Sequence, residues 1–364
     1  MRKIRVLVID DSALVRSLLT EIIDREDDLE CVGTAGDPLI ARGMIRELNP
    51  DVITLDVEMP RMDGLDFLAR LMRLRPTPVV MISALTDQGA EVTLRALELG
   101  AVEFVAKPRV DVLGGLDMLA NQIAEKIRIA ASAHITRRPS PPMSPAPVPK
   151  VATTQPLTRG TLKFGPEVLV FIGASTGGTE AIKAILERIP VEFPGIVITQ
   201  HMPAGFTASF AARLNNACKI SVKEAVDGER ILPGHAYLAP GGRQFSVRRV
   251  ERGYVAVVRE GDLVNRHRPS VEVLFQSAAL EAGKNAYGIM LSGMGADGAR
   301  AMRAMRDAGS YNFVQDENSC VVFGMPREAI KCGAANEVLP LGEIANALIA
   351  RVTQDHDRKS KAQL

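Results

Sequence analysis

VLVFIGASTGGTEAIKAIL, residues 168–186, holds the decisive reading of the chain. Five apolar, β-forming residues run into a turn of small residues. Ile182, Ile185, Leu186 and Ile189 then recur at helical spacing. That is a buried strand, a tight corner and an amphipathic helix: one unit of an α/β fold. Ser175 stands in the corner. It could be a nucleophile, an anion clamp, or part of a close turn. An anion clamp is weakly supported, because GASTGG is neither GxGxxG nor the GK[ST] ending of a P-loop. A close turn accounts for the glycines but not for a serine and a threonine held between them.

The same alternation runs along the 364 residues. Ile4–Ile9 is an apolar run followed by Val15, Leu18, Leu19 and Ile22 at helical spacing. CVGTA, DVITLDV, PVVMISAL and EFVAKP add four more strands with amphipathic segments between them. Five strands alternating with five helices predict a parallel sheet covered on both faces. A proline-rich stretch, PSPPMSPAPVP at 139–149, then interrupts the pattern, and such composition cannot build a core. Beyond it VLVFIG, GIVITQH, HAYLAP, YVAVV, YGIMLSG and CVVFG read as strands. The expected organisation is a first α/β domain over 1–125, a linker over 126–163 and a second domain over 164–352. The second is read as doubly wound with added antiparallel pieces. A polar tail over 353–364 is expected to fray.

Composition narrows the function classes. Net charge is +1, and residues 1–132 carry 16 Lys+Arg against 22 Asp+Glu, a net of 16 − 22 = −6. That argues against nucleic acid as a partner. The segment after the linker offers no basic helix and no zinc ligands. The four cysteines form no CxxC pair, as in a protein of a reducing compartment. Asp10 and Asp11 interrupt the first apolar run, so it does not read as a signal peptide, and no apolar stretch is long enough to span a bilayer. A cytoplasmic monomer with no membrane insertion is expected.

Two groups of residues fall at strand ends. Asp10 and Asp11 follow the first strand, Asp56 ends the third, Ser83 the fourth and Lys107 the fifth. In a parallel sheet these ends share one edge, where ligands bind. Converging carboxylates suit a Mg²⁺ ion. Asp56 could then accept a phosphoryl group, with Ser83 and Lys107 gripping its oxygens. Singly, each residue has a plainer reading, such as a helix cap at Asp11 and Ser12. In the second half, Ser175, His201 and Asp297 each follow a strand. A serine there is activated if an imidazole takes its proton and a carboxylate orients the ring. The glycines of both loops would let main-chain N–H groups approach an oxyanion. Spacing alone leaves another reading open: His201 as a satisfied strand-end histidine, and Asp297-Gly298 as a turn capping the next helix.

VLVIDDS, TLDVEMPRMDG, VVMISAL and FVAKP together resemble the receiver domain of two-component response regulators. The resemblance implies a flavodoxin-like fold and phosphorylation on Asp56. It also implies Mg²⁺ held by Asp11, Asp56 and the Glu58 carbonyl with help from Asp10, and a switch in which Ser83 and Phe104 rearrange. IGASTGG, QHMP, HRPSVEVLF, LSGMGADG and SCVVFGMPREAI resemble the catalytic domain of the chemotaxis protein-glutamate methylesterases. That resemblance implies a serine esterase with Ser175 as nucleophile, His201 as base and Asp297 as acid. It needs no cofactor for its chemistry, demethylates glutamates of chemoreceptors and deamidates receptor glutamines. A histidine kinase of the chemotaxis system would be the phosphodonor, and the unphosphorylated receiver would obstruct the esterase. A phospho-regulated binding module without catalysis is the competing reading.

Overall fold

The computed structural model describes residues 2–57, 59, 64–83, 87–106, 116–135 and 164–362. Glu58, Lys107 and the proline-rich stretch lie outside the described residues.

The first domain alternates strictly: β1 (Ile4–Ile9), α1 (Ala13–Asp24), β2 (Leu29–Ala35), α2 (Pro38–Leu48), β3 (Val52–Asp56), α3 (Gly64–Leu74), β4 (Val79–Ser83), α4 (Asp87–Glu98), β5 (Glu103–Ala106) and α5 (Leu116–Ala131). The strands form one parallel sheet in the order β2-β1-β3-β4-β5. Residues of β3 and β4 are buried throughout, as a sheet covered on both faces requires. Local signals start the helices where expected. The Ser12 hydroxyl accepts from the Val15 N–H to cap α1, and the Asp37 carboxylate caps α2 ahead of Pro38. Strand order reverses between β1 and β3, so their carboxyl ends flank the crevice where such sheets bind ligands.

The second domain holds a seven-stranded sheet, built of β6 (Leu169–Ala174), β7 (Gly195–Gln200), β8 (Ser221–Glu224), β10 (His235–Leu238), β13 (Ala286–Met290), β14 (Tyr311–Gln315) and β15 (Glu337–Leu339). Its order is β15-β14-β13-β6-β7-β10-β8, and every pairing is parallel. The antiparallel addition is a separate three-stranded sheet of β9 (Arg230–Ile231), β11 (Gln244–Arg249) and β12 (Tyr254–Arg259). The helices are α6 (Gly178–Leu186), α7 (Thr207–Ala217), α8 (Val271–Ser277), α9 (Ala299–Asp307), α10 (Met325–Lys331) and α11 (Leu341–Ala362). From β6 the chain winds outward through β7, then returns to wind the other way through β13. The reversal puts the ends of β7, β6 and β13 side by side.

Three local expectations change. CVVFG is not a strand: it is a partly buried loop held against the segment after β13, with an isolated Gly293–Phe323 bridge. The Val322 N–H donates to the Ser292 hydroxyl at 3.0 Å, and Gly324 and Pro326 end the extended run. Its place at the sheet is taken by β14, disguised in sequence by Asn312 and Gln315. Both are buried and fully engaged, Asn312 donating to the Met302 and Ala334 carbonyls and Gln315 accepting from the Ser292 N–H. The polar segment after Val352 is helical and completes α11 as far as Ala362. Arg351 pairs with Asp355 one turn on, Asp355 accepts from the Tyr287 hydroxyl, and His356 packs edge-on against Phe164.

Candidate active site

Ser175 follows β6 directly. Its N–H donates to the Ser292 carbonyl at 3.0 Å, and its own carbonyl accepts from the Gly178 N–H at 2.7 Å. Gly177 turns the chain with a φ of 76°, which a side-chain-bearing residue rarely adopts. At Gly293 the constraint is space: an added Cβ would lie 2.8 Å from the Ser175 Cβ. These glycines therefore let two loops meet at the serine. The Gln200 amide joins the next loop to this one, donating to the carbonyls of Ser175 (2.9 Å) and His201 (3.3 Å). Ser175 is 7% exposed and lines, with Gln200 and His201, a cleft of about 980 Å³.

His201 extends from β7 and reaches Asp297 beyond β13. Its Nε2 lies 2.8 Å from Asp297 Oδ2, while its Nδ1 is buried without a hydrogen-bond partner. Asp297 is 3% exposed and accepts four further bonds: from Asn265 Nδ2 (2.7 Å), the Ser270 hydroxyl (2.8 Å), the Val271 N–H (2.6 Å) and, more weakly, the Glu272 N–H (3.4 Å). Burial pushes this carboxyl up. His201, Asn265 and Ser270 outweigh it and hold the group down at about 2. The carboxylate is thus ionised and fixed by main-chain and side-chain donors alike. An ionised, immobile carboxylate on one ring nitrogen leaves the other able to accept a proton.

Sequence reading left two neighbours out. His267, one of the five histidines, stacks on His201 with ring centroids 3.6 Å apart and planes at 10°. Asn265 is the donor to Asp297 just described. The signal available was the HRPS segment itself, next to an asparagine, in a chain with few histidines.

In the first domain, one carboxylate oxygen from each of Asp10, Asp11 and Asp56 lies within 4.8 Å of the others. Asp10 and Asp56 are fully buried and Asp11 is exposed. Three hard oxygen donors at that spacing fit a Mg²⁺ ion that keeps part of its water shell. Ser83 is buried at the end of β4, its hydroxyl 3.3 Å from the Gly89 carbonyl. Phe104 packs against Phe206 of the second domain, centroids 4.6 Å apart.

The domains meet beside the serine loop. Buried Glu103 takes a hydrogen bond from the Thr176 hydroxyl and pairs with Lys126 of α5 at 2.9 Å. Glu98 pairs with Lys183 at 3.4 Å and with Arg213. The His134 N–H donates to the Val321 carbonyl at 2.9 Å. Residues of β5, α3 and α4 form one wall of the cleft that Ser175 and His201 line. Among the described residues, no helix is long and apolar enough to cross a membrane.

Comparison with known proteins agrees with this two-part layout. The family described as CheB methylesterase matches residues 170–348, and the response regulator receiver domain matches residues 6–113. A protein-glutamate methylesterase/protein-glutamine glutaminase of Albidiferax ferrireducens is 67% identical over 359 residues, 98% of this chain and 96% of the relative. One from Nitrosomonas europaea is 58% identical, covering 97% of each chain. One from Salmonella typhimurium is 55% identical, covering 97% of this chain and 98% of the relative. With an acidic cluster at one sheet edge, a Ser-His-Asp group at the other and near-full-length similarity of this degree, the chain belongs to the receiver-linked protein-glutamate methylesterase/protein-glutamine glutaminase family.

Proposed function

We propose that this chain is a cytoplasmic, monomeric esterase gated by phosphorylation, which hydrolyses glutamate methyl esters on chemoreceptors and deamidates receptor glutamines. The observation that carries the reading is His201 held by a buried, ionised Asp297 through Nε2, with Nδ1 unengaged in the cleft that holds Ser175. Ser175 Oγ attacks the ester carbonyl while His201 takes its proton on Nδ1. The developing oxyanion would be met by main-chain N–H groups of the glycine-rich loops around Ser175. His201 then returns the proton to the departing methoxide, releasing methanol. With a glutamine the leaving group is ammonia. Water attacks the acyl-serine with His201 again as base, and the free carboxylate leaves. Asp297 keeps the imidazole in one tautomer and stabilises its protonated form throughout.

The receiver supplies the gate. Asp56 is the phosphoacceptor, served by a kinase of the signalling system, and Asp10, Asp11 and Asp56 would hold Mg²⁺. The bound ion offsets charge repulsion between the incoming phosphoryl group and the carboxylates. Support for gating comes from the interface. Phe104, at the position that rearranges in receivers, is buried on Phe206, and its neighbour Glu103 holds Thr176, next to the nucleophile. Rearrangement at β5 would loosen both contacts and open the cleft.

The test is methanol release from methylated receptor membranes. Ser175→Ala should abolish it and leave phosphate incorporation on Asp56 intact. A folded Ser175→Ala chain that keeps most of its activity removes the nucleophile assignment.

A further inference from the structure

We propose that the turn Val264–His267 is a positioning device for the catalytic pair, in which His267 fixes the plane of the His201 ring by stacking and Asn265 fixes the Asp297 carboxylate. The proposal rests on the reading of Ser175, His201 and Asp297 as the catalytic group.

The turn is built for the task. Val264 and His267 exchange both main-chain hydrogen bonds, at 3.1 and 2.9 Å, around two residues with positive φ: Asn265 at 50° and Arg266 at 69°. Two successive left-handed residues define the tightest hairpin turn, and asparagine tolerates that backbone well. The turn sends two of its side chains to the His201–Asp297 pair: Asn265 donates to Asp297 at 2.7 Å, and His267 lies flat on His201 at 3.6 Å. Gln244 braces the segment from β11. Its amide donates to the His267 carbonyl at 3.2 Å and its oxygen accepts from the Ser270 N–H at 3.0 Å. Ser270 in turn bonds Asp297.

His201 needs such support. Its Nε2–Asp297 bond fixes one point of the ring but leaves rotation about that contact, and a swing of the ring would carry Nδ1 away from Ser175. A flat neighbour at van der Waals distance removes that freedom. The charged and titratable groups around His267 are His201, Asp297, Lys126 and Arg266. Burial, followed by the His201 charge, holds His267 at about 3, so it stays neutral near neutral pH. A neutral ring can lie against the imidazolium formed during catalysis without repelling it.

The experiment uses the full-length chain with Mg²⁺ and a small phosphodonor. Two readouts run in parallel: the kcat and KM of methanol release, and the rate at which a fluorophosphonate captures Ser175. Capture depends on the activated serine but needs no receptor, so an error in the substrate assignment leaves it informative. His267→Ala should lower kcat and the capture rate about tenfold, with KM within about twofold, as loss of a ring-on-ring contact predicts. His267→Phe keeps a flat ring and should stay within about threefold of wild type. Asn265→Gly keeps the left-handed backbone and removes only the amide, and should cost about fivefold in kcat. Folding is checked by circular dichroism. His267→Ala at the wild-type rate overturns the proposal. So does His267→Phe as slow as His267→Ala, which would give the imidazole nitrogens a role of their own. A change confined to KM would instead make the turn a substrate contact and overturn it equally.

Discussion

Replacing Glu103 by alanine should unlock the esterase without phosphorylation. Glu103 is 6% exposed, and its two oxygens serve different partners: the Thr176 hydroxyl across the interface and Lys126 within the receiver. In Glu103→Ala the Thr176 hydroxyl, itself 2% exposed, stays buried without its acceptor as long as the domains remain closed. A hydrogen bond to a charged group contributes about 1.5–3 kcal/mol. Lys126 can reach water, so its loss adds little. The closed state is therefore raised by about 2 kcal/mol relative to the open one, a shift of about thirtyfold. A chain that rests about 1% open would become about 23% open. Basal methanol release should rise about twentyfold, and the rate with saturating phosphodonor should not change. Glu98→Ala is the comparison. That carboxylate is 32% exposed, and its pairs with Lys183 and Arg213 are partly solvated, so about 1 kcal/mol or less is at stake and the rise should be a few-fold. A Glu103→Ala chain with normal circular dichroism, a normal stimulated rate and an unchanged basal rate would refute the reasoning, because the contact would then not bear on closure.

Other outcomes follow from the same geometry. Asp56→Asn removes the proposed phosphoacceptor, so Mg²⁺-dependent incorporation from acetyl phosphate should vanish while basal esterase activity persists; undiminished labelling would place the acceptor elsewhere. Asp297→Asn should lower kcat by about 10³–10⁴, as loss of the orienting charge does in other triads. It should also lower the melting temperature, because a carboxamide offers one oxygen where five donors now converge on two, so at least two of them must face an NH₂ group. Acid should separate wild type from His267→Phe. The folded chain holds His267 at about 3, below its ordinary 6.5, so the unfolded state binds the extra proton between those values. Stability from this group is full above about pH 6.5 and declines as pH falls toward 3. Urea midpoints at pH 7 and 4.5 should fall further in wild type than in the phenylalanine variant, and an equal fall would show that His267 is not kept neutral by the fold.

Much of the architecture was legible because it is local. Alternating apolar runs and helical spacing reported ten elements of the first domain in order, since each strand or helix must bury one face wherever it packs. The strand-end positions of Asp10, Asp11, Asp56, Ser175, His201 and Asp297 were likewise readable, because a parallel sheet places every carboxyl end on one edge. The sequence could not rank those strands. That β6 lies between β7 and β13, bringing residues 175, 201 and 297 to three adjacent ends, follows from which helices cover which face, a property of the whole domain. Polar residues misled where partners are distant. Asn312 and Gln315 belong to a buried strand because their amides are satisfied by groups remote in the chain, whereas the apolar CVVFG bends into a loop over the serine. His267 and Asn265 looked unremarkable until a two-residue turn set them against a pair of side chains from two other loops. Glu103 read only as the start of a strand. Its meaning lies in Thr176, 73 residues away, and only the packing of one domain on the other could bring that hydroxyl to it.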